Sequence, residues 1–130
     1  GVATVDYDLD GKVDVLLGNE RGKWHLFKNT SSVEEKNCAI TIEIGYSESG
    51  KATALGAIVM LETDNQKQIR RVGTTSANYS LSANPFEQFG LGNCEENYKV
   101  SVIWSNGETI EKTVNKSNSP ILFGKKIPNK

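Results

Sequence analysis

Asp6-Tyr-Asp8-Leu-Asp10-Gly11-Lys12-Val-Asp14 places carboxylates at positions 1, 3, 5 and 9 of a short loop and glycine at position 6. A hard cation such as calcium takes about six to eight oxygens at once. Carboxylates on alternate residues of a tight loop can converge on one point, and glycine permits the sharp turn that a side chain resists. The backbone carbonyl of Lys12, at position 7, adds a further oxygen. The candidate metal ligands are therefore Asp6, Asp8, Asp10, Lys12 through its carbonyl, and Asp14, with calcium as the ion. The plainer alternative is a solvated acidic turn. It leaves four neighbouring aspartates repelling one another without a counter-ion. The loop is not an EF-hand, because position 12 is Leu17 rather than a bidentate glutamate.

The elements that must hold this loop read as strands. Val2-Ala-Thr-Val5 leads in, Val13, Val15, Leu16 and Leu17 lead out, and Gly18-Asn19 turns the chain into Lys23-Trp-His-Leu-Phe-Lys28. This order of strand, acidic loop, strand, turn and strand resembles the calcium-binding FG-GAP/VCBS repeat of integrin-type propellers, and Trp24 to Asn29 is similar to the way those repeats finish. The resemblance implies the same ligand roles for Asp6, Asp8, Asp10, Lys12 (carbonyl) and Asp14. One repeat cannot bury both faces of its sheet. The sequence also opens within strand-like residues and without methionine, so a piece from the C-terminal end of a longer protein is expected, with residues 1–30 packed on something else.

The 130 residues suffice for one compact domain plus the repeat. The formal charge of −1, with scattered Lys and Arg, argues against nucleic acid as a partner. No apolar run approaches the roughly 18 residues of a membrane-spanning helix, so no membrane insertion is expected. The apolar residues are mainly β-branched and no long segment keeps a helical period, so the class is all-β. Cys38 and Cys94 lack metal-ligand spacing, and the sole histidine, His25, lies in a strand-like run. A disulfide between the two cysteines or a pair of buried thiols are both open.

After a polar linker at 31–36, Cys38 to Gly45 alternates Ile40, Ile42 and Ile44 with Thr41 and Glu43, as a half-buried strand does. Gly56 to Glu62 is a second strand, Asp64-Asn65 a turn, and Gln68 to Gly73 its antiparallel partner. Tyr98, Val100, Val102 and Trp104 share one face of a further strand. Asn106-Gly107 is expected to form a type I′ turn, and Glu108 to Val114 returns. Residues 117–130 read as a tail in which Ile121, Leu122 and Phe123 can dock on the body.

The ordered series Gly56-Ala-x-Val59, Arg70-x-Val72-Gly73, Phe89-Gly-Leu-Gly92 and Val100-x-Val102-x-Trp104-x-x-Gly107 resembles the ASPIC/UnbV domain. That domain occurs in surface and secreted proteins and typically follows integrin-like repeats. The resemblance covers roughly residues 37–116. Gln88 stands where family members often carry histidine, and Ser105 where they often carry proline. Phe89, Leu91 and Trp104 are expected in the core. Trp104 and Tyr79 are alternative sugar-stacking residues, and Arg70-Arg71 an alternative grip on carboxylate or sulfate.

No nucleophile elbow, HExxH or phosphate loop is present, and the pairs Glu34-Glu35 and Glu95-Glu96 diverge as adjacent side chains, so no enzyme is expected. The expected architecture is an antiparallel β-sandwich or partly open barrel, preceded by a β-hairpin remnant of a propeller-type repeat. The expected role is a non-catalytic extracellular module that binds calcium and serves adhesion or protein interaction. Its partner would be a protein or glycan at a cell surface or matrix, with the piece itself monomeric. A carbohydrate-binding module and an architectural cap of a β-propeller are the alternatives.

Overall fold

A computed structural model describes residues 1–32, 37–73, 85–94, 97–117 and 119–126. Tyr79, Glu34-Glu35 and Glu95-Glu96 lie outside the described residues. The described chain is all-β, with ten strands in three sheets, none of which closes into a barrel.

The first sheet is an antiparallel meander of β1 (Val2–Val5), β2 (Asp14–Leu17) and β3 (His25–Phe27). The second has the order β10 (Ile121–Phe123), β4 (Asn37–Ile44), β7 (Phe86–Asn93). The third has the order β6 (Lys67–Arg71), β5 (Ile58–Glu62), β8 (Tyr98–Ile103), β9 (Thr109–Val114). The second and third sheets form a β-sandwich around one core. Alternation supplies it: Ile40, Ile42, Ile44, Phe89 and Phe123 come from one sheet, and Val59, Leu61, Tyr98, Val100 and Val102 from the other. At one side, Gln68 Nε2 donates to the Gly90 carbonyl at 2.6 Å and Gln66 Nε2 to the Leu91 carbonyl at 3.1 Å, stitching the sheets together.

The expected antiparallel pairing has one exception. β10 runs parallel to β4, with Ile121 opposite Ile42 and Phe123 opposite Ile44. Ile121, Leu122 and Phe123 thus dock on the body, and Phe123 is fully buried. The chain closes behind it at Gly124, whose φ is +82°. A Cβ there would meet the Tyr46 carbonyl oxygen at 2.1 Å and Trp104 Cζ2 at 2.8 Å, so no larger residue fits.

Trp104 is 2% exposed, and its indole N–H donates to the Gly45 carbonyl at 3.1 Å. It is a core residue and offers no face to a sugar. Arg70 is spread over the Phe89 ring, 5.1 Å from its centroid, and bonds the Ile69 carbonyl and Gln68.

The β8–β9 turn is not type I′. Only Gly107 has positive φ, and the Gly107 N–H donates to the Trp104 carbonyl at 2.9 Å while the Trp104 N–H donates to the Glu108 carbonyl at 2.9 Å. This is a three-residue hairpin loop with glycine at the left-handed position. Asn106 is occupied instead with its side chain, which accepts from the Glu108 N–H and donates to the Glu108 carboxylate. That carboxylate also accepts from the Ser47 hydroxyl at 3.0 Å, the Ser49 N–H at 3.0 Å and the Ser49 hydroxyl. The two Ser49 donors, with help from Ser47 and Asn106, hold the Glu108 pKa down to about 2.

Cys38 and Cys94 are joined, with Cα atoms 5.3 Å apart. The bridge ties the start of β4 to the residue just past β7. It sits beside a bulge where Cys38 faces Gly92 and Ala39 faces Gly90, leaving Leu91 as the extra residue.

Candidate metal site in the acidic loop

β1 and β2 pair up to the mouth of the loop, where Val5 faces Asp14. Two left-handed residues bend the loop inward, Leu9 at φ +59° and Gly11 at φ +85°. Leucine rarely adopts this conformation, so the loop is held by its own hydrogen bonds. Asp6 Oδ1 accepts the Asp10 N–H at 3.1 Å and Asp6 Oδ2 the Gly11 N–H at 2.9 Å. Asp10 Oδ1 accepts the Lys12 N–H at 2.9 Å. Asp14 is 1% exposed, and its two oxygens accept the N–H groups of Asn29 at 2.7 Å and Tyr7 at 3.2 Å.

Of the expected ligands, the fold brings together Asp6, Asp8 and Asp14. Each offers a carboxylate oxygen, and these oxygens lie within 4.8 Å of one another. Oxygens on opposite sides of a calcium ion at ligand distances of about 2.3–2.6 Å are separated by about 5 Å, so no pair in the trio is too far apart to share one ion. Asp10 is not in the trio. Its Oδ2 lies 3.1 Å from Lys12 Nζ and 3.5 Å from Lys28 Nζ. Partial burial pushes Asp10 up, but the Lys12 N–H, the Lys12 ammonium and Lys28 outweigh it and hold its pKa below the usual carboxylate range. Lys12 faces the loop through this ammonium.

Lys28 also pairs with Asp8, and the bond to that carboxylate raises the lysine's pKa. Its ammonium stands where a cation would be welcome. Four carboxylates against the two ammoniums of Lys12 and Lys28 leave the loop at a formal −2. The donor set is all hard carboxylate oxygen, the chemistry of a hard cation rather than a softer metal.

The loop lies against the outer face of the β4–β7 pair. Gln88 Nε2 donates to the Gly11 carbonyl at 3.0 Å and lies 3.5 Å from Asp6 Oδ2. A cleft of about 280 Å³ runs alongside, lined by Asp6, Asp10, Lys12, Thr41, Gln88 and Lys116. A second, of about 490 Å³, is bordered by Val5, Leu9, Val13, Phe86 and Pro120. Sequence reasoning missed Gln88, Lys28 and Asn29 as neighbours of the loop. Only Lys28 and Asn29 carried a signal, as the end of the repeat-like run. Gln88 is 77 positions from Gly11, and nothing local announces their contact.

The ASPIC and UnbV family model matches residues 47–127, well over half of the sequence, and the chain belongs to that family. The match takes in β5 to β10 and leaves the acidic loop outside it. No curated protein and no solved structure matches the chain.

Proposed function

We propose that this chain is a non-catalytic extracellular module in which an FG-GAP/VCBS-like calcium repeat is seated on an ASPIC/UnbV domain, and that it serves adhesion or protein interaction within a longer repeat protein. The observation that carries the calcium reading is the convergence of Asp6, Asp8 and Asp14 oxygens within 4.8 Å, with an ammonium already drawn to Asp8. Calcium, when bound, supplies a +2 centre that binds several carboxylates at once. Asp6, Asp8 and Asp14 would hold the ion, with Asp14 tying it to β2. Asp10 keeps Lys12 in place as a charge balance.

The function is structural stiffening. A loop whose four carboxylates repel one another becomes one fixed surface beside the outer face of β4 and β7. The Cys38–Cys94 bridge supports an oxidising compartment. Val2, Val15, Leu17 and Phe27, which share one exposed face of the first sheet, support further protein packed there. That face also favours a second reading, an architectural cap with no ligand of its own. Calcium titration of the full chain by calorimetry, beside Asp8→Ala, tests the proposal: a single site in the wild type and none in the variant is expected.

A further inference from the structure

We propose that Gln88 is the positioning residue that couples the acidic loop to the sandwich core, so that calcium bound at the loop is felt by the domain; the inference rests on the calcium reading above. Gln88 sits on the outer face of β7, opposite Thr41 of β4. Its neighbour Phe89, opposite Ile40, is fully buried, and this pins the strand so that Gln88 must face outward. The side-chain amide then meets the loop at its tightest point. Nε2 donates to the Gly11 carbonyl at 3.0 Å and approaches Asp6 Oδ2 at 3.5 Å. The Gly11 N–H donates to that same Asp6 oxygen at 2.9 Å. One amide group thus touches both the turn glycine and a carboxylate of the converging trio.

The coupling follows from this geometry. Any shift of Asp6 or Gly11 when the trio closes on an ion moves the acceptors of Gln88, and β7 carries Phe89 into the core one residue further on. By reciprocity, a loop held in place by Gln88 binds the ion more tightly, and a bound ion stabilises the docked arrangement. No other described side chain of the sandwich forms a hydrogen bond with a residue of the acidic loop.

The test uses the full chain and calcium chloride. Calorimetric affinity and thermal unfolding, followed by the near-ultraviolet circular dichroism of buried Tyr98 and Trp104, are measured for the wild type, Gln88→Leu and Thr41→Val. Leucine keeps bulk at the site but has no N–H. Loss of one hydrogen bond of this kind corresponds to a three- to tenfold weaker affinity, about what one net hydrogen bond is worth. We expect that loss in Gln88→Leu, with a smaller calcium-induced rise in melting temperature, and affinity within about twofold of wild type in Thr41→Val. Equal affinity and equal calcium-induced stabilisation in the wild type and Gln88→Leu would overturn the role of Gln88 and leave the calcium reading standing. No binding by the wild type would overturn both. If Gln88→Leu does not fold in chelator, Gln88→Asn, which retracts the same amide by one carbon, takes its place with the same expected and contrary results.

Discussion

Asp14 accepts the backbone N–H of Asn29 at 2.7 Å across fifteen positions of chain, which makes it a structural post of the first sheet as well as a candidate ligand. Its other oxygen holds the Tyr7 N–H, so one buried carboxylate fixes both the start of the loop and the end of β3. Asp8, by contrast, is exposed and bonds chiefly to a lysine.

Asp14→Ala and Asp8→Ala therefore separate in chelator. Removing Asp14 strips the partner from two N–H groups, at about 1–3 kcal/mol for each one left buried and unpaired. Removing Asp8 costs one exposed ion pair and one long, exposed hydrogen bond from the Asp10 N–H. Urea unfolding without calcium should show Asp14→Ala clearly destabilised and Asp8→Ala near wild type. Equal losses would mean that Asp14 has no special structural role.

Lys28 competes with any cation for Asp8. Lys28→Met should bind calcium about two- to tenfold more tightly, because the ion no longer displaces an ammonium from an exposed pair. Calorimetric titration reads this directly. Weaker binding would show that Lys28 orders the loop rather than obstructing it.

Glu108 makes stability depend on acid. Its folded pKa is lowered from 4.5 to about 2, so the stability it contributes is complete above about 4.5 and is lost as pH falls toward about 2. Melting temperatures recorded in chelator between those values should fall more steeply for the wild type than for Glu108→Gln. The two curves should converge at the acid end. Parallel curves would remove Glu108 as the cause.

β10 closes the core. Phe123 is fully buried, with Lys112 Nζ 5.0 Å from its ring centroid. Phe123→Ala should cost about 3–5 kcal/mol in urea unfolding. Gly124→Ala, forced against Tyr46 and Trp104, should also unfold early. Wild-type stability in both would mean that β10 is an ornament on the sandwich.

Much of the sandwich was legible because strand periodicity is local. Ile40, Ile42 and Ile44, and Tyr98, Val100, Val102 and Trp104, announce their buried faces by alternation alone. The type I′ turn was misjudged because Asn106 uses its side chain to hold Glu108 instead of adopting positive φ. The Cys38–Cys94 pairing stayed open because it depends on the β4–β7 register and its bulge, which no local pattern encodes. Within the loop, spacing brought out all four aspartates. It could not say that the Asp10 carboxylate pairs with Lys12 and Lys28, because Lys28 comes from beyond β3.

The proposed function requires that the acidic loop be a working calcium site. It is tested most directly by thermal unfolding of the full chain with millimolar calcium and with chelator, on the wild type and on Asp8→Ala. At about 100 times its dissociation constant a ligand adds about 2.7 kcal/mol, a shift of several degrees for a domain of this size. A rise with calcium in the wild type and none in Asp8→Ala is the predicted result. No rise in either protein would contradict the claim and leave the loop as an acidic turn neutralised by Lys12 and Lys28.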